Sequence, residues 1–413
     1  MIENAKKIIA ERCRKLAVTE KMLQRAVCPA NCAAIRQVLE KLRRGESVTL
    51  VQLGGSITEG YFSTSREKSQ GGQVFTFLDA LYPGKVTFIN AGIAATGAVY
   101  GAYRLQQDVL RFNPQLVIIE YNINDRASNS EGMAAYESII RVLWQRGIAV
   151  ICLFNTVYSE NRECAAGSRS LQMEIAQHYS LPTADANKAF FGEAFYQKST
   201  EADSYFREND GTHPTDAGHA RVGLLVCYLL YLIMKEAPCA PLPLKKPLIP
   251  ESLYITDKAQ IIKAQEIRAG HELVSFRGGE YLSEPQSVGQ NIILGERRAE
   301  ISGGTRQSNT YSAFLIPSGE SAEITLRGVC DAFIIILQNK FGSEHAEFTT
   351  LCEGKIISSL TMNAHYSGAL TVEHSRIINC DHRVYHGEKR DITVSISARD
   401  GNVYVGGVLA VFE

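Results

Sequence analysis

From about residue 47 to residue 154, short apolar runs rich in β-branched residues alternate with stretches that carry apolar residues at helical spacing. Runs this apolar, each followed by a helix, are typical of a parallel sheet that helices cover on both faces. The sequence therefore predicts an α/β domain. Its predicted strands are residues 48–53, 86–89, 116–120 and 148–154, and its predicted helices are residues 73–81, 98–111 and 133–146.

Three residues suited to a binding or catalytic site follow these strands at the points where the strands end. Ser56 follows the first strand, Gly92 the second and Asn124 the third. In parallel α/β sheets the ligand site lies beyond the carboxyl ends of the strands. The sequence therefore predicts a single site that contains all three residues.

The remaining segments suggest how the chain is divided. With 413 residues it is too long for one compact core, so we expect two domains. Helical spacing predicts a helical extension over residues 1–45, before the α/β domain of residues 46–236. Residues 237–250 hold five of the 12 prolines and are typical of a semi-rigid linker. Short β-rich segments separated by turn residues predict an all-β sandwich over residues 251–413.

Charge and cysteine content narrow the classes of partner and the compartment. The formal net charge is −1, which gives no global attraction to nucleic acid or to an anionic membrane. The longest apolar stretch, residues 222–234, is shorter than the ~18 residues of a membrane span and favours a buried helix. The first residues lack the apolar core of a signal peptide, and the ten cysteines are scattered, so we expect a reduced, cytoplasmic protein. The sequence leaves open whether the protein forms a homo-oligomer.

Ser56, Asp210 and His213 are candidates for a catalytic relay. A serine hydroxyl needs a neighbouring base to act as a nucleophile. His213 can supply that base, and Asp210, three residues earlier, can orient the imidazole. The alternative is that Ser56 and Asp210 each cap a helix and that His213 lies at the surface. The competing base, His219, falls within a helical pattern, and we assign it to helix packing.

The same turns offer donors for an oxyanion. A tetrahedral intermediate needs two or three fixed hydrogen-bond donors. We predict that these are the backbone N–H groups of Ser56 and Gly92 and the side-chain amide of Asn124. The alternatives are a plain strand-end turn at Gly92 and an Asx-turn at Asn124.

Four sequence blocks carry a resemblance to a known family. Residues 54–58 (Gly-Gly-Ser-Ile-Thr), 90–92 (Asn-Ala-Gly), 124–125 (Asn-Asp) and 210–214 (Asp-Gly-Thr-His-Pro) resemble the four blocks of the SGNH (GDSL-type) hydrolase superfamily. The resemblance covers roughly residues 45–236. It implies a flavodoxin-like three-layer α/β/α fold with a parallel sheet.

The resemblance implies the same site roles as the residues do. Ser56 is the nucleophile, His213 the base and Asp210 its partner, while Gly92 and Asn124 join Ser56 as oxyanion donors. The chain departs from the family pattern at Gly55, where the family's motif has Asp, and at Asn122, where a small residue is usual. The family's Asp is not a member of the triad, so its replacement does not imply inactivation.

The loop over residues 59–73 is polar and holds two aromatic residues, which favours a sugar-contacting rim over an acyl-chain tunnel. We predict that Gly55, Tyr121, Asn122 and Arg126 contact the substrate. The alternative is that each is an ordinary residue of a solvated loop.

The α/β domain followed by a β-sandwich is similar to the arrangement in two-domain carbohydrate O-acetylesterases. The resemblance implies a serine esterase that removes O-acetyl groups from carbohydrate, such as xylan or mannan fragments, through an acetyl-enzyme. It implies an acetylated carbohydrate as the partner, and neither a metal nor an organic cofactor. Two alternatives are a lipolytic or thioester hydrolase with the same triad and an inactive glycan-binding protein.

Overall fold

The computed structural model describes residues 1–65, 67–93, 96–125, 130–157, 162–191, 204–207, 210–237, 239–251, 260–283, 312–337, 345–363, 375–379 and 389–412. The described residues up to 251 form one compact unit, and those from 260 onward form a second.

The first unit contains a six-stranded sheet and the helices that cover it. Its strands are β1 (Val27–Cys28), β2 (Val48–Gly54), β3 (Val86–Gly92), β4 (Leu116–Glu120), β5 (Ala149–Phe154) and β6 (Thr183–Asp185). Its helices are α1 (Ile2–Leu16), α2 (Glu20–Gln24), α3 (Ala33–Arg43), α4 (Ser56–Glu59), α5 (Gln70–Leu81), α6 (Ala98–Tyr103), α7 (Leu105–Asp108), α8 (Ser130–Gln145), α9 (Arg162–His178), α10 (Ala186–Phe190) and α11 (Asp216–Lys235), with a 3₁₀ turn at Leu110–Phe112.

The strand order places the ends of β2 and β4 side by side. The order is β1-β6-β5-β4-β2-β3, and every pair is parallel except β1 with β6. Strands β3-β2-β4-β5-β6 follow the flavodoxin-like order, in which the ligand crevice opens where successive strands turn to opposite sides of the first one. The predicted α/β fold with a parallel sheet is confirmed, and the crevice falls at the carboxyl ends of β2 and β4.

Two apolar clusters lie on opposite faces of this sheet. Neighbouring strand residues alternate between them, with Leu50 in one cluster and Val51 in the other. The cluster that contains Leu50 includes α11, which among the described helices is long and apolar enough to cross a membrane; 72% of its apolar window is buried. Helices thus bury both sheet faces, which explains why most positions in the strands are apolar.

Residues 1–45 contribute to the core of the first unit. Ala5 and Ile9 of α1 are buried in the same cluster as α11, and α3 adds Ile35 and Leu39. Strand β1 extends the sheet by pairing antiparallel with β6. The N-terminal helices are therefore integral to the α/β unit.

The helix predicted over residues 98–111 is wrong, because the structure has α6, α7 and a 3₁₀ turn there. Arg104 lies at the first break and is fully buried. Its guanidinium donates to the carbonyl of Gly54, to the hydroxyl of Tyr121 and to the carboxylate of Asp108. These tertiary contacts override the helical pattern of the segment.

The proline-rich segment lies against α8 and α9, with no helix or strand over its described residues, 239–250. The carboxylate of Glu137 on α8 accepts hydrogen bonds from the backbone N–H groups of Leu248 (2.7 Å) and Ile249 (2.9 Å). Arg141 donates to the carbonyl of Lys245 at 2.7 Å. Hydrogen bonds and the packing of Leu244 and Ile249 in the apolar cluster hold this segment on the first unit.

The second unit is the predicted β-sandwich. Its strands are β7 (Gln260–Lys263), β8 (Val274–Arg277), β9 (Glu280–Leu282), β10 (Ala313–Ile316), β11 (Ser321–Val329), β12 (Asp331–Leu337), β13 (His345–Cys352), β14 (Lys355–Asn363), β15 (Ser375–Asn379), β16 (Arg390–Asp400) and β17 (Val403–Val411), and the helix α12 spans Ala264–Gly270. One sheet has the order β15-β12-β17-β10-β9, with β7 paired to β17, and the other has the order β14-β13-β16-β11-β8; every pair is antiparallel. Phe276 of one sheet stacks on Phe314 of the other, with ring centroids 4.0 Å apart, so the sheets pack face to face.

Candidate active site

Ser56, His213 and Asp210 form one chain of hydrogen bonds. Both carboxylate oxygens of Asp210 lie 3.0 Å from Nδ1 of His213. Because a carboxylate only accepts, Nδ1 carries the proton, and Nε2 of the neutral ring is the acceptor. Ser56 Oγ lies 2.9 Å from that Nε2 and can donate its hydrogen to it. The three side chains therefore have the connections that a nucleophile, a base and an orienting acid require.

The loop before α11 holds Asp210 and His213 in this arrangement. Asp210 Oδ1 accepts hydrogen bonds from the backbone N–H groups of Thr212 (2.8 Å) and His213 (2.7 Å), which closes a tight turn. Thr215 caps α11 by accepting from the N–H of Gly218 at 3.2 Å. Because Thr215 caps the helix, the carboxylate of Asp210 remains directed at the imidazole.

The environment keeps Asp210 ionised. Burial raises the pKa of its carboxyl, but hydrogen bonds from the side chain and backbone of His213 and from Thr212 outweigh burial and hold the pKa below its usual value. The carboxylate is thus available to stabilise a positive charge on His213.

Asn124 and the N–H of Ser56 lie together at the carboxyl edge of the sheet. The amide nitrogen of Asn124 donates to the carbonyl of Thr96 at 3.0 Å, which uses one of its two hydrogens. The same nitrogen lies 2.6 Å from the position that a Cβ on Gly55 would occupy, so a larger residue there would displace the Asn124 amide. Ser56 begins α4, where the N–H has no acceptor within the helix. Both predicted donors therefore border the nucleophile.

Gly92 does not offer its N–H to this site. The N–H donates to the side chain of Asn90 at 2.9 Å. A Cβ on Gly92 would overlap the backbone of Thr58 and Glu59, so the residue packs against α4. We therefore correct the predicted role: Gly92 supports the helix that follows Ser56, and its amide is already occupied.

The structure also places two predicted substrate contacts away from the solvent. Tyr121 is 1% exposed, and its hydroxyl accepts a hydrogen bond from Arg104 at 3.1 Å. Asn122 is fully buried and exchanges two hydrogen bonds of 2.9 Å with the backbone of Asn155. We correct the prediction for both residues, because neither side chain is exposed at a surface where a substrate could contact it. Arg126 lies outside the described residues.

Two aromatic rings that the site prediction did not include contact the imidazole. The centroids of the Tyr61 and Phe62 rings lie 4.6 Å and 5.7 Å from that of His213. The guanidinium of Arg207 lies over the Phe62 ring at 4.1 Å. Phe62 has a φ of +63°, a strained conformation that is concentrated at functional sites. In the sequence, the position of these two rings directly after the serine motif was the signal that could have identified them as site residues.

The predicted packing role of His219 is confirmed. The side chain is fully buried, and its Nε2 lies 3.0 Å from the carbonyl of Tyr61, to which it donates. Burial lowers the pKa of His219 to about 4, so the ring is neutral at physiological pH. It therefore fixes the backbone of Tyr61 next to His213.

Two buried acids that sequence reasoning missed lie behind the site. Glu120, at the end of β4, accepts a hydrogen bond from Thr58 at 3.0 Å, and Asp125 accepts from the backbone N–H of Ala98 at 2.9 Å and from Gln172 at 2.8 Å. Burial raises the pKa of each carboxyl to about 7, although these hydrogen bonds lower it. An acid at the end of a wholly apolar strand was the available signal for Glu120.

The described residues also bear on metal binding. Among them, no group of three or more His, Cys, Asp or Glu side chains is placed to hold a metal ion.

Comparison with known proteins gives one match to a family model and a shared fold. Residues 53–221 match the model of the GDSL-like Lipase/Acylhydrolase family. A two-domain esterase (CEX) active on acetylated mannans is similar over 95% of this chain and 99% of its own, with a TM-score of 0.74 and 20% identity. The same esterase co-crystallized with mannopentaose gives a TM-score of 0.73 and 21% identity, over 95% of this chain and 98% of its own. Comparison with curated proteins gives no match. At this identity the likeness to CEX shows the fold of both units.

Proposed function

We propose that this chain, whose residues 53–221 match the model of the GDSL-like Lipase/Acylhydrolase family, is a serine esterase that removes O-acetyl groups from carbohydrate. The observation that carries the proposal is the chain of hydrogen bonds from Ser56 through His213 to Asp210, next to the amide of Asn124. Acyl transfer requires a nucleophile, a base, an acid that orients the base and hydrogen-bond donors for the oxyanion, and these groups lie together at the carboxyl edge of the sheet.

The first half of the reaction forms an acetyl-enzyme. Ser56 Oγ attacks the carbonyl carbon of the acetyl group while His213 Nε2 takes the hydroxyl proton. The carbonyl oxygen becomes an oxyanion, which accepts hydrogen bonds from the Ser56 N–H and from the second hydrogen of the Asn124 amide. Asp210 remains ionised and stabilises the imidazolium. When the tetrahedral intermediate collapses, the C–O bond to the sugar breaks and His213 protonates the departing sugar oxygen.

The second half releases acetate. Water enters in place of the sugar, and His213 takes one of its protons as the oxygen attacks the acetyl carbon. The same donors hold the second oxyanion. Collapse breaks the bond to Ser56 Oγ, which recovers a proton from His213, and the product leaves as acetic acid, which loses its remaining proton to solvent to give acetate. Each proton that His213 accepts is returned within the same half-reaction.

Three observations support carbohydrate as the substrate class. The chain shares its two-unit fold with CEX, which is active on acetylated mannans. The loop after α4 is polar, and its two aromatic residues, Tyr61 and Phe62, are half-buried beside His213, where rings can pack on sugar faces. The exposed guanidinium of Arg207 on Phe62 offers donors to hydroxyl groups. Acetylated fragments of mannan or xylan are the substrates we propose.

Acetate release from acetylated manno-, xylo- and sialo-oligosaccharides tests the proposal. Ser56→Ala and His213→Ala should each remove most of the turnover, because each removes a member of the relay, while circular dichroism remains unchanged. His178→Ala is the control histidine variant, since His178 lies on α9 and contacts the proline-rich segment. It should retain the wild-type rate.

A fluorophosphonate probe separates the alternatives. Labelling of Ser56 without acetate release from any glycan would favour a lipolytic or thioester hydrolase, which esters of eight or more acyl carbons would then reveal. A wild-type protein that is not labelled and releases no acetate would contradict the proposal and leave a glycan-binding protein.

A further inference from the structure

Glu120 contacts the turn that carries Ser56. Its carboxylate, which is 2% exposed, accepts a hydrogen bond from Thr58 Oγ1 to Oε2 at 3.0 Å. The backbone N–H of Gly55 lowers the pKa of the same carboxyl. Gly55 precedes the nucleophile and Thr58 is two residues beyond it. We propose that Glu120 is a positioning residue, whose carboxylate fixes the turn with Ser56 by accepting the hydrogen bond from Thr58. This role rests on the proposed esterase function.

The hydrogen bonds around Thr58 have a defined direction. The side-chain amide of Gln70 donates to Thr58 Oγ1 at 3.3 Å, so the hydroxyl gives its single hydrogen to Glu120. The side-chain amide of Asn155 donates to Gln70 Oε1 at 3.3 Å, which orients the Gln70 amide towards Thr58. The Thr58 hydroxyl therefore requires an acceptor at the position of the Glu120 carboxylate.

A buried carboxylate is a costly way to hold a turn. Burial raises the pKa of Glu120 to about 7, which shows that the charged form is disfavoured there. The interior of β4, Leu116 to Ile119, is apolar, and an apolar residue at its end would avoid this cost. Buried polar groups that weaken a fold are expected where function requires them. The turn with Ser56 is the part of the site that Glu120 contacts.

The role is one of positioning, because Glu120 acts through the backbone of the turn. Gly55 is the residue on which a Cβ would lie 2.6 Å from the amide nitrogen of Asn124, and Ser56 N–H and Asn124 are the two proposed oxyanion donors. A shift of the turn would therefore move the nucleophile and one donor relative to His213 and Asn124 together.

Glu120→Gln tests the role because it retains the shape and replaces one acceptor with a donor. With 4-nitrophenyl acetate at pH 8.5, we expect kcat to fall about 10²-fold, as for a displacement of about 1 Å, with KM unchanged. The rate at which a fluorophosphonate labels Ser56 should fall by a similar factor. This second rate reports on the nucleophile and does not depend on the substrate.

Glu137→Gln is the matched control. Glu137 is also fully buried and accepts hydrogen bonds from three donors, the hydroxyl of Tyr179 and the N–H groups of Leu248 and Ile249. It contacts the proline-rich segment and not the serine turn. This variant should lower the urea midpoint of unfolding and leave kcat and the labelling rate unchanged.

The Thr58 variants give an independent test should Glu120→Gln fail to fold. Thr58→Val keeps the shape but removes the hydroxyl, whereas Thr58→Ser keeps the hydroxyl. Valine should lower kcat and the labelling rate at least tenfold, and serine should restore most of both.

The outcomes separate this role from the proposed function. A wild-type protein that reacts with the probe, alongside Glu120→Gln and Thr58→Val proteins that react equally fast, would overturn the positioning role alone. Equal losses in the Glu120→Gln and Glu137→Gln proteins would overturn it too, as a general effect of destabilisation. A wild-type protein that neither hydrolyses esters nor reacts with the probe would overturn the esterase function and this role with it.

Discussion

A methyl group at position 55 should disable the proposed oxyanion site by displacing the amide of Asn124. The added Cβ of Gly55→Ala would lie 2.6 Å from the amide nitrogen of Asn124. That nitrogen must move by roughly 0.8 Å to reach an ordinary contact distance, although its hydrogen bond to Thr96 O holds it in place. The φ of Gly55 is −90°, outside the left-handed region, so steric overlap and not φ strain decides the effect.

The displacement of the Asn124 amide predicts how far the rate should fall. Removing one oxyanion donor costs about 10²–10³ in rate, or about 2.7–4 kcal/mol. We expect Gly55→Ala to lower kcat/KM for 4-nitrophenyl acetate about 10²-fold. In an Asn124→Ala background the new methyl group has space, so the same change should cost no more than about threefold.

A double-mutant cycle over initial rates checks this reasoning. The four proteins are the wild type, the two single variants and the double variant, each assayed with 4-nitrophenyl acetate. Gly223→Ala is the steric control, because its Cβ would overlap Gln73 between α11 and α5; it should lower the melting temperature and retain kcat/KM. Additive losses in the cycle, or a Gly55→Ala protein with the wild-type rate, would refute the reasoning.

Three further changes test the relay, the buried acids and the buried ion pair. Asp210→Asn should lower kcat about 10⁴-fold with the fold intact, because the amide can donate to Nδ1 and select the wrong imidazole tautomer; steady-state rates and circular dichroism check this. Burial raises the pKa of Glu120 and Asp125 to about 7, above values of about 4 in an unfolded chain. The folded state therefore binds more protons between about pH 4 and 7, so the free energy of unfolding should fall as the pH rises through that window; Asp125→Asn should flatten this slope in urea titrations. Arg104→Met should lower the free energy of unfolding by about 3–5 kcal/mol, because it leaves Asp108 buried without its cation, and Asp108→Asn added to it should recover part of the loss.

The strands were predictable because their environment imposes one pattern on them. A parallel strand buried on both faces is apolar at most positions, and β4 consists of the apolar residues 116–119 followed by Glu120, as predicted. Strand β3 continues three residues beyond its predicted end, because Asn90, Ala91 and Gly92 pair in register with the end of β2. Polar and glycine residues at a strand end give no apolar signal, although the ladder of hydrogen bonds includes them.

The roles of residues at the site depend on the directions in which their hydrogen-bonding groups point, and spacing along the sequence does not specify these directions. Asp210 and His213 are three residues apart, so local geometry could bring them together, and the structure does so. Gly92 is at the predicted strand end, but the direction of its N–H is decided by the side chain of Asn90. Tyr121 follows an apolar strand and turns inward to Arg104, a residue 17 positions earlier. Contacts of this kind are settled by tertiary packing, which periodicity does not reveal.

The placement of buried polar groups explains how the fold tolerates them. The interior of the sheet is apolar on both faces, while Glu120 and Asp125 lie at and just beyond the end of β4 and His219 lies near the start of α11. Each of the three carries a pKa displaced by burial, so each lowers stability in its charged form. Each also anchors a segment next to Ser56 or His213, through Thr58, Ala98 or Tyr61. The destabilising groups are therefore those that hold the loops of the site, and the apolar sheet beneath them supplies the stability that allows them to remain.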